Sequence, residues 1–120
     1  DDRDKSRREK AALTSVVLLE NCLLLNRGGP GRAAALSKEG QGAVELVLAK
    51  ILVVAIADVD AMVRLAVLGA LVKHTAFDAH LSQADALRAL FVSLHDVSHP
   101  VRALGVQLAG RLSRRNPAYV

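Results

Sequence analysis

Chemistry in this chain, if there is any, should show first among its histidines and the acids beside them. His74, Asp78, His80 and Asp85 are close enough in sequence to test as a metal or acid–base site. Their spacing argues against one. His74 and Asp78 lie across an expected helix end, so no rigid i, i+4 pair forms, and no Glu supplies the base of a zinc-protease helix. His80 is expected to hydrogen-bond backbone in a link while Phe77 and Leu81 pack as core. His95 and His99 flank an acidic turn at Asp96 and read as surface. Gly28-Gly29-Pro30-Gly31 lacks the Lys and Ser/Thr of a phosphate loop and follows a helix rather than a strand. No serine sits in the strand-turn-helix setting of a hydrolase nucleophile. We therefore expect no catalytic, cofactor-binding or metal-ligating residues and no enzyme activity in this segment.

Charged residues carry more information. Asp58-Val59-Asp60-Ala61-Met62-Val63-Arg64 and Asp96-Val97-Ser98-His99-Pro100-Val101-Arg102 share the pattern Asp, four residues, Val, Arg, at an offset of 38 residues. Arg64 can lay its methylenes on a neighbouring helix while its fork of donors pairs with a carboxylate such as Asp96. A more degenerate copy runs from Asp4 to Lys10. Arg111, Arg114 and Arg115, with Arg102 nearby, form a candidate basic patch for an acidic partner or phosphate. The cluster Arg3, Lys5, Arg7, Arg8 and Lys10 is diluted by Asp1, Asp2, Asp4 and Glu9. No aromatic stands among either cluster for base stacking, so a nucleic-acid-binding module is the alternative reading rather than the first.

The elements that must position these residues follow from composition and period. The chain has 120 residues, 52% hydrophobic and 23% charged, with net charge +4, enough to bury the core of one domain. Its 20 Leu, 20 Ala and 15 Val outnumber three aromatics, which favours packed helices over sheets. Cys22 is single, so it forms no internal disulfide or cysteine zinc site and is expected as a small buried side chain in a reducing compartment. The first residue is not Met, and neither a signal-peptide pattern nor a run of eighteen uncharged apolar residues is present, so we expect an excised cytosolic segment without membrane insertion.

Helical intervals run from Lys5 to Leu25 and stop at Asn26-Arg27-Gly28-Gly29-Pro30-Gly31, an expected loop. Ala33 to Lys38 is expected as a short helical turn before Gly40 and Gly42. Val44, Val47, Leu48, Ile51, Leu52 and Ala55 mark a helix from Val44 to Ala57. Asp60 then caps a helix over Met62 to Val72, its carboxylate accepting from free N–H groups of the next turn. Ser82 or Asp85 should open a helix through Leu94, which Asp96 closes. Pro100 suits the first turn of a helix reaching Leu112, and Asn116-Pro117 begins another.

Two helix pairs with matching turns at a fixed offset have the layout of a helical solenoid. The chain thus divides into 1–43, an N-terminal helix and Gly-rich loop that is the second half of an earlier unit; 44–76 and 77–115, two repeats; and 116–120, the start of the next helix. The fold class is all-α, an alpha-alpha superhelix of antiparallel helix pairs.

The Asp-x4-Val-Arg element resembles the HEAT repeat. The resemblance implies that Asp58, Arg64, Asp96 and Arg102 form a ladder between stacked units. Val44 to Val120 resembles more specifically the HEAT-repeat region of the target-of-rapamycin kinases, through Phe77-Asp78-Ala79-His80-Leu81, through Leu90-Phe91-Val92, Leu94 and Asp96, and through Gly110-Arg111-Leu112-Ser113 with Asn116-Pro117-Ala118. It departs where that family tends to carry Asp-Pro, having Val59 and Ala61. The resemblance implies a parent serine/threonine protein kinase controlling growth in response to nutrients, with its catalytic motifs elsewhere. It also implies a scaffold role for this segment, with neighbouring repeats and the regulatory-associated subunit as partners, no cofactor, and a homodimeric parent complex. The implied location is cytoplasmic, peripheral at the lysosome or vacuole surface.

Overall fold

The computed structural model describes the backbone of residues 2–27 and 38–115, and side chains over 3–21 and 42–115. The expected loop at Gly28–Gly31, the turn from Ala33, the burial of Cys22 and the helix at Asn116-Pro117 lie outside the described residues. What is described is helical, with no strand. The helices are α1 (Asp2–Arg27), α2 (Lys38–Ala57), α3 (Ala61–Lys73), α4 (Asp78–Leu81), α5 (Ala84–Phe91) and α6 (His99–Ser113). Short 3₁₀ turns, Thr75–Phe77 and Val92–His95, precede α4 and follow α5.

Each long helix buries the face that its apolar spacing marks out. In α1 this is Ala12, Val16 and Leu19; in α2, Val44, Leu48, Ile51, Leu52 and Ala55; in α3, Val63, Val67, Leu68 and Leu71. Leu87 and Leu90 of α5 close on Val101, Leu108 and Leu112 of α6, and Phe77 and Leu81 fill the corner between the pairs. Burial of one such Leu or Phe side chain contributes about 1.5–3 kcal/mol, so this shared cluster is the main source of cohesion. His80 is half-buried beside Phe77 and Leu81, and among the described residues its side chain makes no hydrogen bond to backbone. His95 and His99 are exposed, as their place beside the Asp96 turn suggests.

Packing sorts the helices into two layers. α1 lies against α3 and α3 against α6, while α2 lies against α5. Within each of the pairs α2/α3 and α5/α6 the chain reverses through a short acidic turn. Arg8 of α1 reaches the start of α3 and Glu20 reaches its end, so α1 and α3 run in the same direction. Arg64 and Arg111 show the same for α3 and α6.

Several boundaries differ from the sequence reading. α2 begins at Lys38 and runs through Gly40 and Gly42; a helical glycine costs only about 1 kcal/mol, which the burial of the following apolar face exceeds. Neither Ser82 nor Asp85 caps α5. Ser82 instead ends α4, its Oγ donating to the Ala79 carbonyl at 3.1 Å, and Gln83 precedes α5 without a side-chain cap. The helix expected to reach Leu94 tightens to 3₁₀ at Val92. There Ser93 Oγ donates to the Leu90 carbonyl at 2.6 Å, and Gly105 of α6 packs so close that a Cβ would overlap Ser93 Oγ. Asp60 does cap α3, accepting from the Met62 N–H at 2.8 Å.

Candidate interface: carboxylate and guanidinium rungs along one edge

The two acidic turns are built alike. Asp58 Oδ1 accepts from the Asp60 N–H at 2.9 Å, and Asp96 Oδ1 accepts from the Ser98 N–H at 2.8 Å. These local bonds orient each carboxylate before any distant partner arrives. Six residues later, each arginine fastens its own turn: Arg64 Nη1 donates to the Asp58 carbonyl at 2.6 Å and Arg102 Nη1 to the Asp96 carbonyl at 2.7 Å.

Beyond that shared contact the turns connect in sequence. Arg64 spans to the next pair with its fork, Nε to Asp96 Oδ2 at 2.8 Å and Nη2 to Asp96 Oδ1 at 3.0 Å. Only 10% of its side chain and 6% of that of Asp96 remain exposed, a geometry in which the bidentate pair is specific as well as charged. Asp58 is held in the same way from the other side, by Arg8 of α1 at 2.7 Å and 3.2 Å, and Lys5 lies 3.6 Å from Asp60. The guanidinium of Arg8 holds the Asp58 carboxyl below the usual carboxylate range, and that of Arg64 does the same for Asp96, each against the opposing effect of burial.

Of the four residues read as rungs, Arg64 and Asp96 meet, Asp58 is paired with Arg8, and among the described residues Arg102 grips its own turn alone, its Nη2 standing 3.5 Å from His99 Nδ1. Arg8 was missed because its partner lies 50 residues away. The degenerate copy at Asp4 to Lys10 was the signal that could have found it.

The opposite edge holds a second set of ties. Arg111 does not join Arg114 and Arg115 on the surface. Its guanidinium turns inward to the end of α3, donating to the Val72 carbonyl at 2.8 Å, the Leu71 carbonyl at 3.3 Å and Asp78 Oδ1 at 2.9 Å. The last carbonyls of a helix lack partners within it, and here a side chain from the next pair supplies them. Asp78 is buried and takes its ion-pair partner from Arg111. His74, at the end of α3, faces Glu20 of α1 at 2.5 Å. Among the described residues Asp85 meets Arg88, so His74, Asp78 and Asp85 are each drawn to a different partner, while His80 borders the same depression as Asp85. Arg114 and Arg115 are exposed.

This chain is similar to serine/threonine-protein kinase TOR of Arabidopsis thaliana, 40% identical over 121 residues covering 100% of this chain and 5% of that protein. It is 46% identical over 74 residues to the TOR kinase of Oryza sativa subsp. japonica, 62% of this chain and 3% of the relative. With the mTor kinase of Drosophila melanogaster it shares 42% over 84 residues, 70% of this chain and 3% of the relative. It is a segment of the TOR serine/threonine-protein kinase family. No family model matches it. The TOR-family segment spans about 5% of the length of the first of these kinases, and both turns, with Asp58, Arg64, Asp96 and Arg102, lie in the stretch matched end to end. Among its described residues no helix is long and apolar enough to cross a membrane.

Proposed function

We propose that this segment is a non-catalytic HEAT-repeat scaffold of a TOR-like serine/threonine kinase, with repeats at 44–76 and 77–115 and α1 as the second helix of a preceding unit. The observation that carries this reading is the recurrence of one bonded unit at successive turns: Asp58 and Asp96 each receive a guanidinium fork from the preceding helix of the same layer, Arg8 and Arg64 respectively. Such a unit fixes the angle at which one helix pair sits on the next, which is what a stacked array requires. The scaffold offers its edges to protein partners, among them neighbouring repeats of the same chain and the regulatory-associated subunit of the kinase complex. It acts in nutrient and growth signalling in the cytoplasm, peripherally at the lysosome or vacuole surface, within a homodimeric parent. With Arg111 turned inward, the nucleic-acid alternative retains only Arg114 and Arg115 as exposed members of its patch.

The test has two arms. The 120-residue chain with ATP and a serine/threonine peptide should transfer no phosphate. In the parent kinase, Arg64→Met with Arg8→Met should reduce recovery of the assembled complex while an isolated kinase domain keeps its activity. Phosphotransfer by the chain, or unchanged assembly after both substitutions, would overturn the reading.

A further inference from the structure

A depression on the described surface lies away from both rows of ties, where the outer layer's helices α2 and α5 run side by side. It holds about 410 Å³. Leu48 and Ala49 of α2 and Ala86 of α5 give it an apolar lining, and two carboxylates border it, Glu45 from α2 and Asp85 from α5. His80 and Gln83 close the end nearest the link between the pairs. In a chain of net charge +4 this is a local reversal of sign. Glu45 has no ion-pair partner among the described residues, and the only partner of Asp85 is Arg88, a pair whose side chains are 64% and 99% exposed and so loosely held.

We propose that this groove receives an arginine side chain from a partner protein. The chemistry favours that occupant over others. The apolar lining suits the methylene stem of a long cationic side chain, and two carboxylates without a firmly held partner suit a planar fork with several donors. A lysine presents one compact, strongly hydrated charge instead of a fork. The groove lies apart from the rungs, and this inference does not depend on them.

The experiment is a nuclear magnetic resonance titration of the ¹⁵N-labelled 120-residue chain with the peptide acetyl-Ala-Arg-Ala-amide. Parallel titrations use the Lys peptide and the uncharged citrulline peptide. The expected result is saturable movement of amide signals at residues 45–49 and 83–86, stronger for Arg than for Lys and absent for citrulline. Glu45→Gln and Asp85→Asn should each weaken binding by roughly twofold to fivefold, as for an exposed ion pair. Both positions are on the surface, and an unchanged melting temperature separates lost binding from lost folding. Movement spread equally over other acids such as Asp4 and Glu9, indifference to the two substitutions, or no response at about 10 mM peptide would overturn the proposal.

Discussion

Replacing Arg64 by Met keeps the apolar stem and removes the guanidinium, which isolates what the fork contributes. Three hydrogen bonds go with it, two to Asp96 and one to the Asp58 carbonyl. Asp96, 6% exposed at its side chain, is left with the Ser98 N–H as its remaining partner. Charge-assisted hydrogen bonds contribute about 1.5–3 kcal/mol each and are not additive, so a total near 3 kcal/mol is the working figure, in line with breaking a pair that is largely removed from water. Arg102→Met loses one bond to a carbonyl and strands no carboxylate, so its cost should be about 1 kcal/mol. Urea unfolding followed by far-ultraviolet circular dichroism at pH 7 reads the difference. With a slope of about 1.5 kcal/mol per M, the Arg64 variant should move its midpoint by about 2 M and the Arg102 variant by under 1 M. A double-mutant cycle with Asp96→Asn should return a coupling of about 2 kcal/mol. Equal, small shifts in both single variants, or a coupling near zero, would refute the claim that the rungs hold the pairs together.

Three further outcomes are expected. Gly105→Ala should destabilise by about 1–3 kcal/mol in the same assay, because the new methyl group meets the Ser93 hydroxyl and the Val92–His95 turn must move. Gly42→Ala should stabilise by about 0.5–1 kcal/mol, since nothing lies within 4 Å of the added carbon and the helix gains a better former. Asp58 and Asp96 ionise more readily in the folded chain than at their ordinary value of 3.8, so their stabilisation is complete above about pH 4 and drains away as pH falls further through the folded values. The Asp58→Asn, Asp96→Asn double variant should flatten that acid limb, and an unaltered pH profile would contradict the pairing.

Much of the fold is legible in the residues themselves, because the long helices carry apolar side chains three and four apart over many turns. The period of 38 residues is legible for the same reason: identical turns need identical residues at Asp58 and Asp96, and at Arg64 and Arg102. What stayed hidden depended on distance in sequence or on competition between weak local preferences. Gly40 and Gly42 look like breakers until the burial of Val44 and Leu48 is weighed against them. Arg111 looks like a surface cation because nothing local reveals the bare carbonyls of Leu71 and Val72 or the buried Asp78 across the pair. Arg8 sits among solvated charges, and only the degenerate copy from Asp4 to Lys10 hints that one of them reaches Asp58.

Because α1, α3 and α6 point the same way, their peptide dipoles lie side by side with like ends adjacent, an arrangement that repels. The residues at the two edges oppose that repulsion. Asp58, Asp60 and Asp96 crowd the positive ends of α3 and α6, while Lys73 and Arg111 sit in the last turns of the same helices, at their negative ends. Those acids are themselves paired with Lys5, Arg8 and Arg64, and Arg111 with Asp78, so each helix end is closed by a bonded pair of opposite charges rather than by a bare one.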